Sequence, residues 1–200
     1  MTRLEYRKLL QKTLNDLDLG SVGLMTTMFL QAREDGSRIY TMGNGGSAAN
    51  ASHAAGDFLK GASFGLEKRF QIICLNDNAP SLMAVANDIG WDDIFIEPLK
   101  NFLKPNDIVI GISGSGNSKN ILKAINFSKE NGAKTIGMTG FNGGKLKEIV
   151  DVSIHSPAMD MEIAEDIHMA VFNMVKKEVM SALMSDNPSM GGTYDKRVSE

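Results

Sequence analysis

Two glycine- and serine-rich stretches carry the residues best suited to hold an anion. The first is Gly43-Asn44-Gly45-Gly46-Ser47, and the second is Ser113-Gly114-Ser115-Gly116-Asn117-Ser118. Glycines let the main chain turn sharply and let an anion approach it. Ser47 is placed to cap a following helix, whose first turn presents free N–H groups and a positive dipole end. The second stretch repeats the design with three hydroxyls, two glycines and a helix start. Such groups bind phosphate without needing a basic surface. One loop of this kind also fits a plain strand-to-helix turn; two, after different strands, point to a shared function. Gly43-x-Gly45-x-x-Ala48 satisfies a dinucleotide fingerprint, but Asp77 comes too late to be its acidic partner. There is no Gly-Lys-Ser/Thr phosphate-loop pattern. No nucleotide cofactor is expected.

Further along, titratable side chains recur at helical spacing. His53 and Asp57 are four apart, and Glu165 and His168 are three apart, so each pair shares a face of its helix. Carboxylates and imidazoles so placed can move protons. Each also has a bland reading, as a satisfied core histidine or a solvated first turn that complements the helix dipole. His155 is assigned no role. Cys74 is the only cysteine and lies in the apolar run Ile72-Ile73-Cys74-Leu75, so it reads as a core residue and no intrachain disulfide exists.

These residues must be positioned by a repeating order of elements. Residues 3–34 have apolar positions three and four apart and predict helix, broken or kinked at Gly20 to Gly23. Strands are expected at Arg38–Met42, Phe70–Asn76, Ile108–Ile112, Lys134–Met138 and Val152–His155. Helices are expected at Ser47–Lys60, Ala79–Asn87, Asp92–Phe102, Asn117–Glu130, Gly143–Ile149 and Glu162–Met184. Alternation of this kind gives an α/β fold, a parallel sheet covered on both faces. Residues 1–184 form one expected domain, and 185–200 a polar tail rich in Gly, Pro and Ser.

The bulk properties limit the partners. The 200 residues suffice for one substantial core. A net charge of −3 gives no basic excess for nucleic acid or an anionic membrane. No apolar run is long enough to span a bilayer, and MTRLEYRKLLQKTLNDL lacks the apolar stretch of a signal peptide. A cytoplasmic protein is expected.

The motifs GNGGSAANASH (43–53), AVANDIG (84–90), DIVIGISGSGNS (107–118), GMTGFNGGKL (137–146) and EDIH (165–168) together resemble the SIS (sugar isomerase) domain family. Within it they resemble the phosphoheptose isomerases. The resemblance covers roughly residues 5–185 and implies a three-layer, flavodoxin-like fold: a five-stranded parallel sheet between helices. It implies a homotetramer with shared active sites, acting on a seven-carbon sugar phosphate by enediol proton transfer, in a route to bacterial surface polysaccharide. A phosphate site of Ser47, Ser113, Ser115 and Ser118 follows, beside the Gly45 and Gly46 backbone, with Asn44 and Asp88 near the sugar.

By the same resemblance, Asp57 stands where the usual enzyme has Glu, Glu165 where it has Gln, and Asn173 where it has a catalytic or zinc-binding His. Asp57 is the expected base, Glu165 its partner or alternate, and His168 and His53 are candidate acids or metal ligands. His53, Asp57 and Glu165 are also the candidate ligands of a mixed nitrogen and oxygen site of the type zinc uses. Asn173 cannot cycle a proton near neutral pH. Two rival readings stand: a non-catalytic relative of the replication-initiator-associating type, and an isomerase or sensor for five- or six-carbon sugar phosphates.

Overall fold

The structure, a computed structural model, describes residues 1–184; the tail expected at 185–200 lies outside them. Five strands form one sheet: β1 (Arg38–Gly43), β2 (Gln71–Cys74), β3 (Ile108–Ser113), β4 (Lys134–Thr139) and β5 (Val152–His155). Their order is β2-β1-β3-β4-β5, with every pair parallel. Period-two burial sorts their side chains. Ile108, Ile110 and Ile112 enter one core with Ile39, while Val109, Tyr40 and Met42 enter the other. Both faces of β3 are buried, which explains its unbroken apolar sequence.

On the first face lie α1 (Arg3–Asn15), α2 (Leu19–Asp35), α3 (Gly46–Gly56) and α8 (Met161–Leu183). Phe29, Phe58 and Phe70 form an aromatic cluster there, with centroids 4.8 to 6.4 Å apart and the Phe58–Phe70 pair edge-on. The second face is covered by α4 (Ala79–Asp88), α5 (Ile96–Phe102), α6 (Lys119–Glu130) and α7 (Gly144–Ile149).

Several boundaries differ from expectation for local reasons. The N-terminal break falls at residues 16–18 rather than at the glycines. Asp18 starts α2, its Oδ1 accepting from the Gly20 N–H at 2.9 Å, and both glycines lie inside that helix. The helix expected at Ser47–Lys60 is α-helical only to Gly56 and continues as a π turn over Asp57–Gly61. Ser47 is not the N-cap; Gly45 holds that position with φ 55°, and Ser47 is buried in the first turn. The segment expected as helix from Asp92 is a 3-10 turn at Trp91–Asp93 followed by α5.

The strand order reverses between β1 and β3, and ligands of such sheets bind beyond the strand ends at that point. Register there pairs Gly43 with Ile112 and Ser113 with Thr139, so both glycine-serine loops leave the sheet together. The second loop is set by Gly116, whose φ is +66° and whose added Cβ would lie 1.9 Å from the Gly143 carbonyl oxygen. Gly116→Ala is expected to lower unfolding stability by at least about 2 kcal/mol, read from urea denaturation.

Candidate active site

Asn44, Gly45, Gly46, Ser47, Ser113, Ser115, Ser118 and Glu165 line one cleft of about 250 Å³ at the reversal point. Seven of these eight come from the two loops. Ser113 Oγ lies 3.0 Å from Ser118 Oγ, and Ser115 Oγ accepts from the Asn117 N–H at 3.2 Å. Ser118 begins α6, but its hydroxyl faces Ser113 instead of capping the helix. The cleft thus combines clustered hydroxyls with the N-terminal ends of α3 and α6, a setting for a dianionic group.

Two asparagines outside the expected site fix the first loop. Asn44 and Asn120 exchange amide hydrogen bonds of 3.0 and 2.9 Å, joining the loop to the start of α6. Asn76 accepts from the Gly43 N–H at 3.1 Å and donates to the Gly43 carbonyl at 2.9 Å. Asn120 had a sequence signal: it is an amide beside Ile121, Ala124 and Ile125 on the buried face of its helix.

Glu165 enters the cleft from α8. Asp160 caps that helix by accepting from the Ile163 N–H at 3.0 Å, and Asn50 donates to the Glu165 carbonyl at 2.8 Å. Burial raises the Glu165 pKa, as do the charges of Glu162 and Asp166; the Ser47 N–H facing its carboxylate offsets part of this.

Asp57 stands elsewhere. Ten residues separate it from Ser47, about 15 Å along the axis of α3. Its Oδ1 lies 2.8 Å from Lys176 Nζ, and its Oδ2 lies 3.6 Å from His53 Nε2. Helices α3 and α8 run the same way, because Gly46 meets Glu165 at one end and Gly61 meets Lys176 at the other. Spacings of three and four place Gly46, Asn50, His53 and Asp57 on one stripe of α3. The same spacings align Glu165, Met169, Asn173 and Lys176 on α8. Lys176 was missed in the sequence; its signal was this continuation of the Glu165 stripe.

The zinc ligand set does not come together. Glu165 and the His53–Asp57 pair lie at opposite ends of α3, and Lys176 occupies one side of the Asp57 carboxylate. Among the described residues, no three His, Cys, Asp or Glu side chains group as a metal site. Within one chain the expected donors do not gather around a single point.

Two further expected residues lie outside the serine cleft. Asp88 is exposed at the end of α4, where its Oδ1 accepts from Asn87 at 2.7 Å, and it does not line the serine cleft. His168 is wholly buried, and neither ring nitrogen has a hydrogen-bond partner. Burial pushes its pKa down to about 4, with the Thr139 backbone offsetting part of this, so at neutral pH the ring is uncharged and enclosed in the core. Cys74 is buried, which raises its thiol to about 11 and makes it inert. A larger cavity of about 500 Å³ lies under β2, between Arg38, Tyr40, Ile73 and Phe102. Its wall is mainly apolar, and although Asn78 and Ser81 bring the start of α4 to it, it lacks the cluster of four serines that marks the smaller cleft as the candidate for an anion.

With this geometry in place, comparison with known proteins is direct. The SIS domain family model matches residues 5–140. The phosphoheptose isomerase of Geotalea daltonii is 35% identical over 155 residues, covering 77% of this chain and 80% of that protein. The probable phosphoheptose isomerase of Thermoplasma acidophilum is 37% identical over 144 residues, covering 72% of this chain and 79% of that one. The solved phosphoheptose isomerase of Neisseria gonorrhoeae superposes with a TM-score of 0.81 at 23% identity, covering 89% of this chain and 96% of that one. The chain belongs to the SIS domain family. Among the described residues, no helix is long and apolar enough to cross a membrane.

The buried His168 makes a stability prediction. Its folded pKa of about 4 lies below the ordinary 6.5. The unfolded chain therefore takes up the proton first as pH falls. Its contribution is full above pH 6.5 and is lost as pH falls toward 4, by about 3 kcal/mol in total. Urea unfolding of the protein and of His168→Leu across that window is expected to show a flatter acid slope in the variant.

Proposed function

We propose that the protein is a phosphoheptose isomerase, interconverting sedoheptulose 7-phosphate and the corresponding manno-heptose 7-phosphate. The carrying observation is the convergence of two glycine-serine loops on one cleft at the start of α3 and α6. The phosphate would rest on Ser47, Ser113, Ser115 and Ser118, beside the Gly45 and Gly46 backbone. The curated relatives of similar length bear the isomerase name, which supports the same reading.

Phosphate and carbonyl lie at opposite ends of the substrate carbon chain. We place that chain along the stripe between α3 and α8, from the cleft toward Asp57. The reaction removes a proton from one carbon and returns it to its neighbour through an enediol, while the oxygens exchange a proton. Asp57 is the base in this reading. Its two neighbours, His53 and Lys176, supply the N–H groups for the oxygens. Lys176 also holds one carboxylate oxygen of Asp57 in place, at 2.8 Å. No step passes through zinc.

Assembly as a homotetramer in the cytoplasm completes the reading, with residues 1–184 acting as one domain. Helix α4 has no buried residue, and Met83, Ile89 and Trp91 are 59% to 72% exposed, a surface suited to burial against another subunit. The product would serve bacterial surface-polysaccharide heptose synthesis. A purely protein-binding role is not favoured, since Asp57 keeps a carboxylate at the expected base position.

Purified, metal-quantified protein is to be incubated with sedoheptulose 7-phosphate in deuterated water and followed by NMR. Aldose carrying deuterium beside the carbonyl is expected; absence of conversion with and without added zinc removes the proposal. Asp57→Asn is expected to lower kcat by about 10²–10⁴ with little change in KM. Unchanged turnover would remove Asp57 from the mechanism.

A further inference from the structure

The Glu165 carboxylate stands where an anion held by the first loop would stand. A Cβ built on Gly46 would lie 2.2 Å from Glu165 Oε2 and 2.5 Å from Oε1, so the carboxylate rests on the bare Cα that opens α3. The Ser47 N–H faces it. Free N–H groups of a first helical turn are the donors that draw an anion, and one set cannot serve two anions fully. The side chain is kept there against repulsion from Glu162 and Asp166. It shares its cleft with Ser47, Ser113, Ser115 and Ser118, and neither Lys nor Arg lines that cleft to relieve the charge.

We propose that Glu165 is an internal competitor for the phosphate seat: its carboxylate occupies the N-terminus of α3 in the free chain and swings out when a phosphate ester enters. The inference rests on the reading of the serine loops as a phosphate cradle. Gly46 provides the room for both states, having no side chain of its own. Displacement has a selective consequence. A carboxylate leaving the helix end needs a new partner, and the hydroxyls of a bound sugar can donate to it. Inorganic phosphate offers no such donors along the stripe, so it must displace Glu165 without compensation. Glu165 thereby favours a phosphorylated polyol over the free phosphate ion. The neutral Gln that the usual enzyme carries at this position would exert no such exclusion.

Calorimetric titration with inorganic phosphate tests this on the full chain, on Glu165→Gln and on Glu162→Gln. The Glu165→Gln change keeps the shape and removes the charge. It is expected to tighten phosphate binding about tenfold or more, equivalent to at least 1.4 kcal/mol. Glu162→Gln, which removes an exposed charge one turn away, is expected to leave affinity within about twofold. Unchanged or weaker binding by Glu165→Gln overturns the proposal. Equal tightening by both variants overturns it too, in favour of a general charge effect. A second measurement needs no variant to fold for its outcome. The ¹³C carboxyl resonance of Glu165 in the unaltered chain should move as phosphate saturates, and a stationary resonance during saturation refutes displacement. These readouts are separate from turnover: failure to isomerise sedoheptulose 7-phosphate would defeat the functional reading while leaving the phosphate result standing.

Discussion

Everything at this site depends on the pairing of β1 with β3. That pair is where strand order reverses, and its register sets Gly43 beside Ile112. A shift by one residue would exchange the two faces of β1, sending Ile39 into the wrong core and Tyr40 into the other. The separation of the loops is therefore fixed by burial of strand residues remote from any ligand. Polar fasteners then carry that precision outward. Asn76 holds the end of β1, and the Asn44–Asn120 pair ties its loop to the helix that follows β3. Amide pairs of this kind are directional where apolar packing is not, which suits a loop that must present N–H groups at one point.

The parallel course of α3 and α8 has an equally simple origin. Both start beyond the C-terminal ends of strands, so both point their N-termini toward the cleft. Alanine at residues 51, 54 and 55 gives α3 a flat buried face against the sheet, leaving its polar stripe for α8. One contact at each end then sets the register: Glu165 against Gly46, and Lys176 against Gly61. Two features of different charge are thereby kept apart by about three helical turns. A negative side chain is held at the helix end that favours it, and a cation is held beside Asp57.

Much of this was legible in the sequence. Strand identity, helix alternation and the two anion loops were written in local composition, because glycine, serine and period-two burial act over a few residues. The sites of Ser47, Ser113, Ser115 and Ser118 followed from that local signal, and the structure brings them to one cleft. What escaped depended on partners distant in the chain. The N-terminal break followed Asp18, because a side-chain cap outweighed the glycines nearby. The π turn at Asp57–Gly61 has no period of its own to reveal it. His168 shares a helical turn with Glu165, but the 3.6-residue period turns it into the core. Helical spacing alone did not separate a residue entering the cleft from one buried beneath it.

The three departures that the family resemblance implies are best understood as one change. Asp57, Glu165 and Asn173 all lie on the facing stripes of α3 and α8. Against the Glu, Gln and His that the resemblance implies, this set gains one carboxylate and loses one imidazole. A stripe altered that way would be strongly negative without a nearby cation. Lys176 supplies it at Asp57, and the N–H groups opening α3 take the charge of Glu165 at the other end. Neither compensation needs a bound ion. The ion pair at Asp57 is partly exposed, so its contribution to stability is small. Its value lies in orientation: the shorter Asp side chain has one methylene less reach than Glu, and a fixed ammonium on one oxygen leaves the other directed toward His53. Electrostatic balance along this stripe, more than any single substitution, keeps both carboxylates compensated.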